Sequence, residues 1–435
     1  MKYLLLFLCA VPLFAQTISQ VQFEPPDPTS RTAVLAHVHL PAYGCGVASV
    51  TTARIGSAIT IALFPRTIEC LIAAAADVTV DLGVLPAGVY GVNVVPGNSS
   101  FEPVILAGET LVARDANPPF EVRPNTRGSG LDSIRLVGPD LGDAVAVHFG
   151  TISVEIQSAS PTELKVKEPG FAPGTFDVTV TKQNGTTLRA TAAYNVPTPN
   201  PIHANRAFYE RVLLPVFWSG PGAFGAQWVT TATLYNGTEY TVTPAYTSVF
   251  LISCFPVCER RPLPKATVSM TAGSTLPAGY VEELPRQAMT NIDLGLNVRD
   301  TSRSAQDLGT EIPVVHESQL YARPFSIPNV PHDSRYRTTL RLYNLDSAPP
   351  FILRVFLSGA TEPLAVTTIP LTAAAGLHNG GYAEVTELLP PLPEFISGPL
   401  RLEIDPQIHS GIRSAWGFVT VTNNETQHVT VISPQ

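Results

Sequence analysis

Short runs of β-branched or alternating residues, each about five to eight long, recur along the whole chain and end at proline, glycine or asparagine. Examples are the segments 33–40, 58–64, 77–82 and 90–95. Runs of this kind are typical of β-strands, and their regular spacing is typical of sandwich domains. The composition agrees with this interpretation. The chain has 41 prolines, 31 glycines and a charged fraction of only 14%, and a composition of this kind is poor in helix formers. We therefore predict an all-β chain of tandem immunoglobulin-like β-sandwich domains.

The chain has 435 residues, enough for about four sandwiches of roughly 100 residues each. Stretches rich in proline and changes of pattern set the predicted boundaries. The predicted segments are a signal peptide at 1–15, a first sandwich at 16–118, a second at 119–196, a proline-rich linker at 197–205, and two further sandwiches at 206–320 and 321–435.

The first 15 residues have the pattern of an export signal. Lys2 precedes an apolar stretch at 4–8, and Ala15 provides the small residue before the expected cleavage point. A lipoprotein signal at Cys9 fits less well, because Leu8 stands where a small residue is expected. No later apolar run reaches the roughly 20 residues of a membrane span. We predict a mature chain without a transmembrane segment, located outside the cell or on its surface, with the periplasm as the alternative.

Four cysteines remain after Cys9. An even number in an exported chain favours disulfides, and proximity in sequence suggests Cys45 with Cys70 and Cys254 with Cys258. The competing interpretation is a four-thiolate metal site, which the wide separation of the two pairs disfavours.

The second predicted sandwich carries several landmarks in order. They are Phe149-Gly150, the alternating segment 160–166, the turn and strand at 173–180, and Tyr194 near its end. Together they resemble the IPT/TIG domain, an immunoglobulin-like module, although the glycine-rich opening of that family is reduced here to 128–130. The resemblance implies a fold and a context, since such modules serve in cell-surface receptors, transcription factors and bacterial surface proteins without a shared chemistry.

The last two predicted sandwiches look like copies of each other. The segment 228–236 matches 336–344, and both contain a Thr-Thr pair and end in Leu-Tyr-Asn. Further pairs in the same order are Tyr209 and Arg211 with Tyr321 and Arg323, Gly279-Tyr280 with Gly381-Tyr382, and Pro285 with Pro390. Extra length in the first copy holds the loop between Cys254 and Cys258. The duplicated region looks like uncharacterised secreted bacterial proteins, which implies a compartment and no activity.

Motifs for catalysis or cofactor binding are missing from the sequence. It contains no Gly-x-Ser-x-Gly elbow, no phosphate-binding glycine loop and no calcium loop. His37 and His39 alternate on one strand and share a face, so a joint metal site is the alternative to the structural or surface role that we favour. We predict no catalytic residue, no metal and no cofactor, and hence a protein that is not an enzyme.

Scattered carboxylates leave one enzymatic alternative open. Glu282, Glu283, Asp300 and Glu384 are candidates for the acid and base of a glycosidase only if the fold brings two of them together. The net charge of −8 and the lack of a run of lysines or arginines exclude nucleic acid as an expected partner.

The segment 217–228 is the most suggestive surface element, because it combines aromatic rings with glycine and proline. Phe217, Trp218 and Phe224 form the candidate binding surface, where rings could stack on sugars or anchor a protein. Trp228 is expected to be a core residue. We predict a scaffold for binding or adhesion whose partner is a protein or polysaccharide at the cell surface. The alternatives are a carbohydrate-binding or glycan-degrading protein, and an assembly factor that works by strand addition.

Overall fold

The structure is a computed structural model, and nearly all of its regular elements are β-strands. It describes residues 20–40, 47–65, 76–97, 105–127, 133–168, 170, 172–197, 206–242, 244, 263–273, 278–302, 308–346, 349–377, 380–386, 398–407 and 413–435. Short 3-10 helices occupy Ala223–Gly225, Arg286–Asn291, Glu317–Gln319 and Ala375–Leu377. In these described ranges no helix has the length and apolar character needed to cross a membrane. The predicted fold class, an all-β arrangement of several sandwiches, is confirmed.

The first sandwich contains seven strands within the described residues. They are β1 (Gln20–Glu24), β2 (Ala33–Leu40), β3 (Val47–Ile55), β4 (Ala58–Pro65), β5 (Ala76–Val84), β6 (Gly88–Pro96) and β7 (Ala107–Ala113). One sheet has the order β1-β2-β5 and the other β3-β4-β6-β7, with β4 and β6 parallel. Buried side chains such as Val38, Ile61 and Leu111 form the core between them.

The second sandwich follows the same two-sheet plan. Its strands are β8 (Glu121–Arg123), β9 (Ser133–Val137), β10 (Ala144–Phe149), β11 (Ile152–Val154), β12 (Ile156–Ala159), β13 (Glu163–Lys167), β14 (Gly174–Lys182) and β15 (Thr187–Val196). The sheets have the orders β11-β10-β14-β15 and β12-β13-β9-β8. Phe149 and Tyr194 meet edge to face in the core, with ring centroids 5.1 Å apart. Two landmarks of the predicted IPT/TIG domain are therefore core residues, while the family itself stays a prediction.

The third sandwich contains the first copy of the duplicated segment. Its strands are β16 (Tyr209–Leu214), β17 (Gly220–Pro221), β18 (Gln227–Asn236), β19 (Ala266–Thr271), β20 (Tyr280–Pro285), β21 (Ile292–Asp300), β22 (Thr310–Glu311) and β23 (Val315–His316). One sheet has the order β20-β16-β23. The other has the order β17-β18-β21-β22, and β19 also pairs with β18.

The fourth sandwich contains the second copy. Its strands are β24 (Phe325–Val330), β25 (Tyr336–Asn344), β26 (Phe351–Leu357), β27 (Ala365–Ile369), β28 (Thr372–Ala373), β29 (Gly381–Val385), β30 (Leu400–Asp405), β31 (Ala415–Asn423) and β32 (Val429–Ile432). The sheets have the orders β24-β30-β26-β27 and β28-β29-β25-β31-β32.

The structure supports one part of the sequence repeat and corrects another. The matching segments form β18 and β25, each of which lies between two antiparallel neighbours in its sheet. The match of Gly279-Tyr280 with Gly381-Tyr382 is wrong, because Tyr280 lies on β20, paired with β16, whereas Tyr382 lies on β29, paired with β25. A Gly-Tyr pair is too short to fix a strand's place in a sheet.

The third and fourth sandwiches share a hydrophobic core. Leu213, Leu234 and Leu296 of the third sandwich belong to one buried cluster with Tyr343 and Phe418 of the fourth. A core of this kind resists separation, because parting the two units would expose its apolar surface to water.

A buried ionic cluster joins this pair to the first sandwich. Arg211 on β16 donates from Nε to Glu317 Oε1 at 3.1 Å and binds Asp346 of the fourth sandwich through both Nη atoms. Arg206 also donates to Glu317 and to Gln22 of β1. The exposed fractions of Arg211, Glu317 and Asp346 are 3%, 5% and 7%. Charges this deeply buried persist only when they are paired.

Arginines around Glu317 decide its ionisation. Burial alone would raise the pKa of Glu317, but Arg206, Arg211 and Arg286 outweigh it and lower the pKa to about 2. Arg286 contributes a hydrogen bond of 2.7 Å to Glu317 Oε2. Because the folded-state pKa lies below the unfolded value of 4.5, the cluster stabilises the fold above about pH 4.5 and loses this contribution as pH falls towards 2.

We expect Glu317→Gln to lower the free energy of unfolding by about 3 kcal/mol at neutral pH, because three arginines lose a buried partner. The difference from the unsubstituted protein should shrink as pH falls from about 4.5 towards 2. Chemical unfolding across this pH range measures both effects. Glu403→Gln is the control: Glu403 forms a half-exposed pair with Arg354, so its loss should cost less than about 1 kcal/mol. Equal effects at both sites would contradict the role of the cluster.

Candidate functional site

A cleft of about 790 Å³ opens between the third and fourth sandwiches. Its lining combines two indole rings, a tyrosine, two guanidinium groups, one carboxylate and a series of threonines. The residues concerned are Trp218, Trp228, Tyr336, Arg337, Arg341, Glu384, Thr230, Thr338, Thr339, Thr386, Thr420 and Thr422. A concave site with aromatic surface and convergent polar groups is the usual form of a small-molecule or oligomer site.

One wall of the cleft is the outer face of the fourth sandwich. Side chains alternate along β25, so Leu340 and Leu342 enter the sandwich core while Arg337, Thr339 and Arg341 share the opposite face. Neighbouring β31 places Thr422 opposite Arg337, Thr420 opposite Thr339 and Phe418 opposite Arg341. The same face therefore changes along its length, from polar groups at the cleft to aromatic rings in the core shared with the third sandwich.

Arg341 is held by an acidic and a hydroxyl partner. Its Nη2 lies 3.2 Å from Glu384 Oε2, and its Nη1 donates to Thr420 Oγ1 at 3.0 Å. The Tyr382 hydroxyl donates to the same oxygen of Glu384 at 2.6 Å. Burial alone would lower the pKa of Arg341, but Tyr382 and Glu384 keep it above its usual value. Arg341 therefore stays protonated over the whole physiological range.

Arg337 binds two side-chain amides of its own sandwich. Its Nη1 donates to Asn424 Oδ1 and its Nη2 to Gln427 Oε1, both at 2.8 Å. Its guanidinium also stacks over the ring of Phe224, with the carbon 4.8 Å from the ring centroid. These contacts fix the plane of the guanidinium at the edge of the cleft and connect the two sandwiches.

The opposite wall holds the two indoles. Trp228 is the second residue of β18. The segment with Trp218 is held against that strand, because the Thr230 backbone N donates to Ser219 Oγ at 3.2 Å and the Thr230 Oγ1 donates to the Trp218 carbonyl. Both rings lie against glycine. A Cβ on Gly220 would stand 2.3 Å from Trp218 Cζ2. A Cβ on Gly222 would stand 2.2 Å from Trp228 Nε1. Glycine at both positions is what lets the indoles pack on the backbone.

Phe224 lies at the tip of this wall. Its ring is 69% exposed, and its backbone has φ of 55° and ψ of 31°, a left-handed conformation that is costly for a non-glycine residue. Strain and exposure together in one loop are features of binding sites.

The structure separates the three residues of the predicted binding surface. Trp218 lines the cleft and Phe224 stacks on Arg337 beside it. Phe217 does not belong to this surface: it is 3% exposed and packs in the core shared by the third and fourth sandwiches, where burial of its ring is favourable. Trp228, expected in the core, is half-buried and lines the cleft, because β18 begins at the end of the sandwich.

The remaining candidate residues lie elsewhere. His37 is buried and contacts Thr79 and Glu24, whereas His39 is half-buried and contacts Asp77 at 2.6 Å. Among the described residues, no group of three or more His, Cys, Asp or Glu side chains could hold a metal ion. All four cysteines of the predicted disulfides, Cys45, Cys70, Cys254 and Cys258, lie outside the described residues, as do the predicted signal peptide and most of the linker.

The four candidate carboxylates are dispersed. Glu282 and Glu283 are buried on β20. Asp300 is also buried, and its Oδ1 accepts from the backbone N of Gln227 and Ser302 at the end of β21. Glu384 is the one carboxylate among the described residues that line the cleft.

Sequence reasoning missed the arginines of the cleft, although the repeat contained a signal. Arg337 and Arg341 of β25 stand where β18 has Val229 and Thr233. Two cations that appear in one copy of a duplicated strand, four residues apart, indicate a face with a new environment.

We expect Gly222→Ala to displace the indole of Trp228, because the new Cβ would overlap Nε1. Tryptophan emission should shift, and the free energy of unfolding should fall by about 1 kcal/mol. The control is Gly295→Ala on β21, where a Cβ meets no heavy atom within 4 Å. Unchanged emission in Gly222→Ala would show that this contact does not position the ring.

Comparison with known proteins gives no family. No protein-family model matches the chain, and no curated protein is similar to it. Among solved structures, the chain is similar to SGBP-B of the Bacteroides ovatus mixed-linkage glucan utilization locus, in complex with a heptasaccharide (13% identity, 75% of this chain and 84% of that one, TM-score 0.20). It is also similar to the surface glycan-binding protein PbSGBP-B of Prevotella bryantii (10% identity, 71% of this chain and 94% of that one, TM-score 0.16). A third similar structure is the gamma-CGTase of alkalophilic Bacillus clarkii (11% identity, 69% of this chain and 38% of that one, TM-score 0.17). All three TM-scores are low, so none of these proteins assigns a ligand or a residue to this chain.

Proposed function

We propose that this protein is a non-catalytic binding protein that holds a polysaccharide in the cleft between its third and fourth sandwiches. The observation that carries the proposal is the pair of indoles, Trp218 and Trp228, opposite a wall of arginines and threonines. Sugar rings have apolar faces and hydroxyl edges. A planar aromatic surface suits the faces, and side chains that donate and accept hydrogen bonds suit the edges.

The rigidity of the wall supports this proposal. The indoles pack on Gly220 and Gly222, and the Trp218 segment is hydrogen-bonded to Thr230. Across the cleft, Arg337 and Arg341 are each fixed by two or more partners. Side chains that are already ordered lose little entropy when they bind a ligand.

The charges of the cleft favour binding over hydrolysis. A glycosidase needs two carboxyl groups about 5 to 10 Å apart. Within the described lining only Glu384 carries a carboxylate, and it pairs with Arg341. Export through the predicted signal at 1–15, and action outside the cell or at its surface, belong to the same proposal.

The proposal is tested by binding the mature protein to a panel of neutral and acidic polysaccharides in affinity gels and by calorimetry. We expect retention on at least one glycan class, and at least about a tenfold loss of affinity in Trp218→Ala and in Trp228→Ala, because each removes a stacking surface. Tyr235→Ala is the matched control: Tyr235 is an exposed aromatic residue on β18 outside the cleft lining.

Two results would contradict the proposal. One is no retention on any glycan of the panel, which would favour a protein partner for this surface. The other is glycan binding that survives both tryptophan substitutions, which would move the binding site away from the cleft. Unfolding curves of the variants show whether each has kept the fold.

A further inference from the structure

We infer that the ligand of the cleft is a neutral polysaccharide, and that the Glu384 carboxylate selects it by accepting hydrogen bonds from sugar hydroxyl groups. The inference rests on the proposed function and names the class of glycan. Glu384 lines the cleft, and its side chain is 41% exposed. A ligand can therefore reach this carboxylate without a change in the fold.

The position of Glu384 in the sheet fixes the orientation of its carboxylate. Strand β29 places Glu384 directly opposite Arg341 of β25, and the guanidinium lies 3.2 Å from the carboxylate. The Tyr382 hydroxyl, two residues earlier on the same face of β29, donates to Glu384 at 2.6 Å. Both contacts are made with Oε2, so Oε1 is the oxygen that can accept from a ligand. A side chain that is already oriented loses little entropy on binding.

A carboxylate accepts hydrogen bonds and cannot donate them. The hydroxyl groups of a sugar suit it, because a hydrogen bond from O–H to a charged oxygen is among the stronger ones in proteins. A carboxylate or sulfate group of an acidic sugar would place a second acceptor against Glu384, with no proton between the two oxygens. The match of donor to acceptor therefore favours neutral sugars at this point of the cleft and opposes acidic ones.

The cations of the cleft are engaged by the protein itself. Arg341 has Glu384 as its ionic partner and Thr420 as a second acceptor. Arg337 binds two side-chain amides and stacks on an aromatic ring. Both guanidinium groups therefore serve to build the wall, and affinity for the ligand should depend little on salt concentration.

Threonines accompany the carboxylate in the lining of the cleft. Thr339 of β25 and Thr420 of β31 lie opposite each other. Thr386 follows Glu384 by two residues, and all three threonines line the cleft. A hydroxyl group can donate as well as accept, and it carries no net charge. Such a lining suits the edge of a neutral sugar ring whose face is stacked on an indole.

The experiment compares polymers that share a backbone and differ in charge, as ligands of the full mature chain. The pairs are dextran with dextran sulfate, hydroxyethyl cellulose with carboxymethyl cellulose, and methyl-esterified with free polygalacturonate. We expect the neutral member of at least one pair to bind at least about tenfold more tightly than its acidic partner, with an affinity that salt changes little.

Glu384→Gln keeps the shape of the side chain and removes its charge. We expect about a tenfold loss of affinity for the neutral member, because a charge-assisted hydrogen bond becomes a neutral one. The same change leaves Arg341 without its ionic partner, so the acidic member should gain affinity and the preference for the neutral member should narrow. Damage to the fold would weaken the binding of both members and cannot produce this gain.

Two further variants complete the test. Glu384→Asp keeps the charge and shortens the side chain, so it should weaken neutral binding without any gain for the acidic member. Glu403→Gln is the matched control: Glu403 forms a pair of the same kind with Arg354, in the sheet from which no described residue lines the cleft. Its binding should equal that of the unsubstituted protein, and unfolding curves show whether each variant has kept the fold.

Two results would overturn the neutral ligand. One is an acidic polymer that binds the unsubstituted protein as tightly as its neutral partner, and the other is neutral binding that Glu384→Gln leaves unchanged. In either case, loss of that binding in Trp228→Ala would leave the proposed function standing. No binding to any polymer would overturn both.

Discussion

The arrangement of the sandwiches depends on the ion pairs made by the buried Arg211 guanidinium. It lies between Glu317 of its own sandwich and Asp346 of the next, and Glu317 also binds Arg206, which reaches Gln22 of the first sandwich. Hydrophobic surfaces tolerate sliding, whereas buried charges tolerate few positions because each must keep its partner. The ionic cluster therefore gives the shared apolar core a defined geometry.

That geometry produces the cleft. The third and fourth sandwiches are joined at one end by apolar packing around Tyr343 and Phe418, and elsewhere by a hydrogen bond of 2.9 Å from Thr310 Oγ1 to the Val429 carbonyl. Between them the facing surfaces diverge, and the aromatic loop and β25 form the two walls.

Local pattern predicted most strands, because alternation records which side chains are buried. The segment 33–40 matches β2 in both bounds, and 58–64 matches β4 to within one residue. Strand β3, Val47–Ile55, was missed, since its Ser, Thr and Ala residues are mostly exposed and leave no apolar stripe. Phe217 and Trp218 are adjacent in sequence, and only the packing of the two sandwiches decides that the first ring enters the core and the second lines the cleft.

The cleft shows how a duplicated strand can acquire a second use. Strand β18 lines the cleft with Trp228 and Thr230, which lie on the same face of the strand as its core residues. Strand β25 lines the cleft with its outer face. Inward positions have kept their character, as Leu234 and Leu342 show, because each must fill a core. Outward positions were free to change, and Val229 of the first copy corresponds to Arg337 of the second. One copy thus supplies the stacking surface and the other the hydrogen-bond donors. The proposed ligand, with apolar faces and polar edges, would need both, because residues of both sandwiches line the cleft.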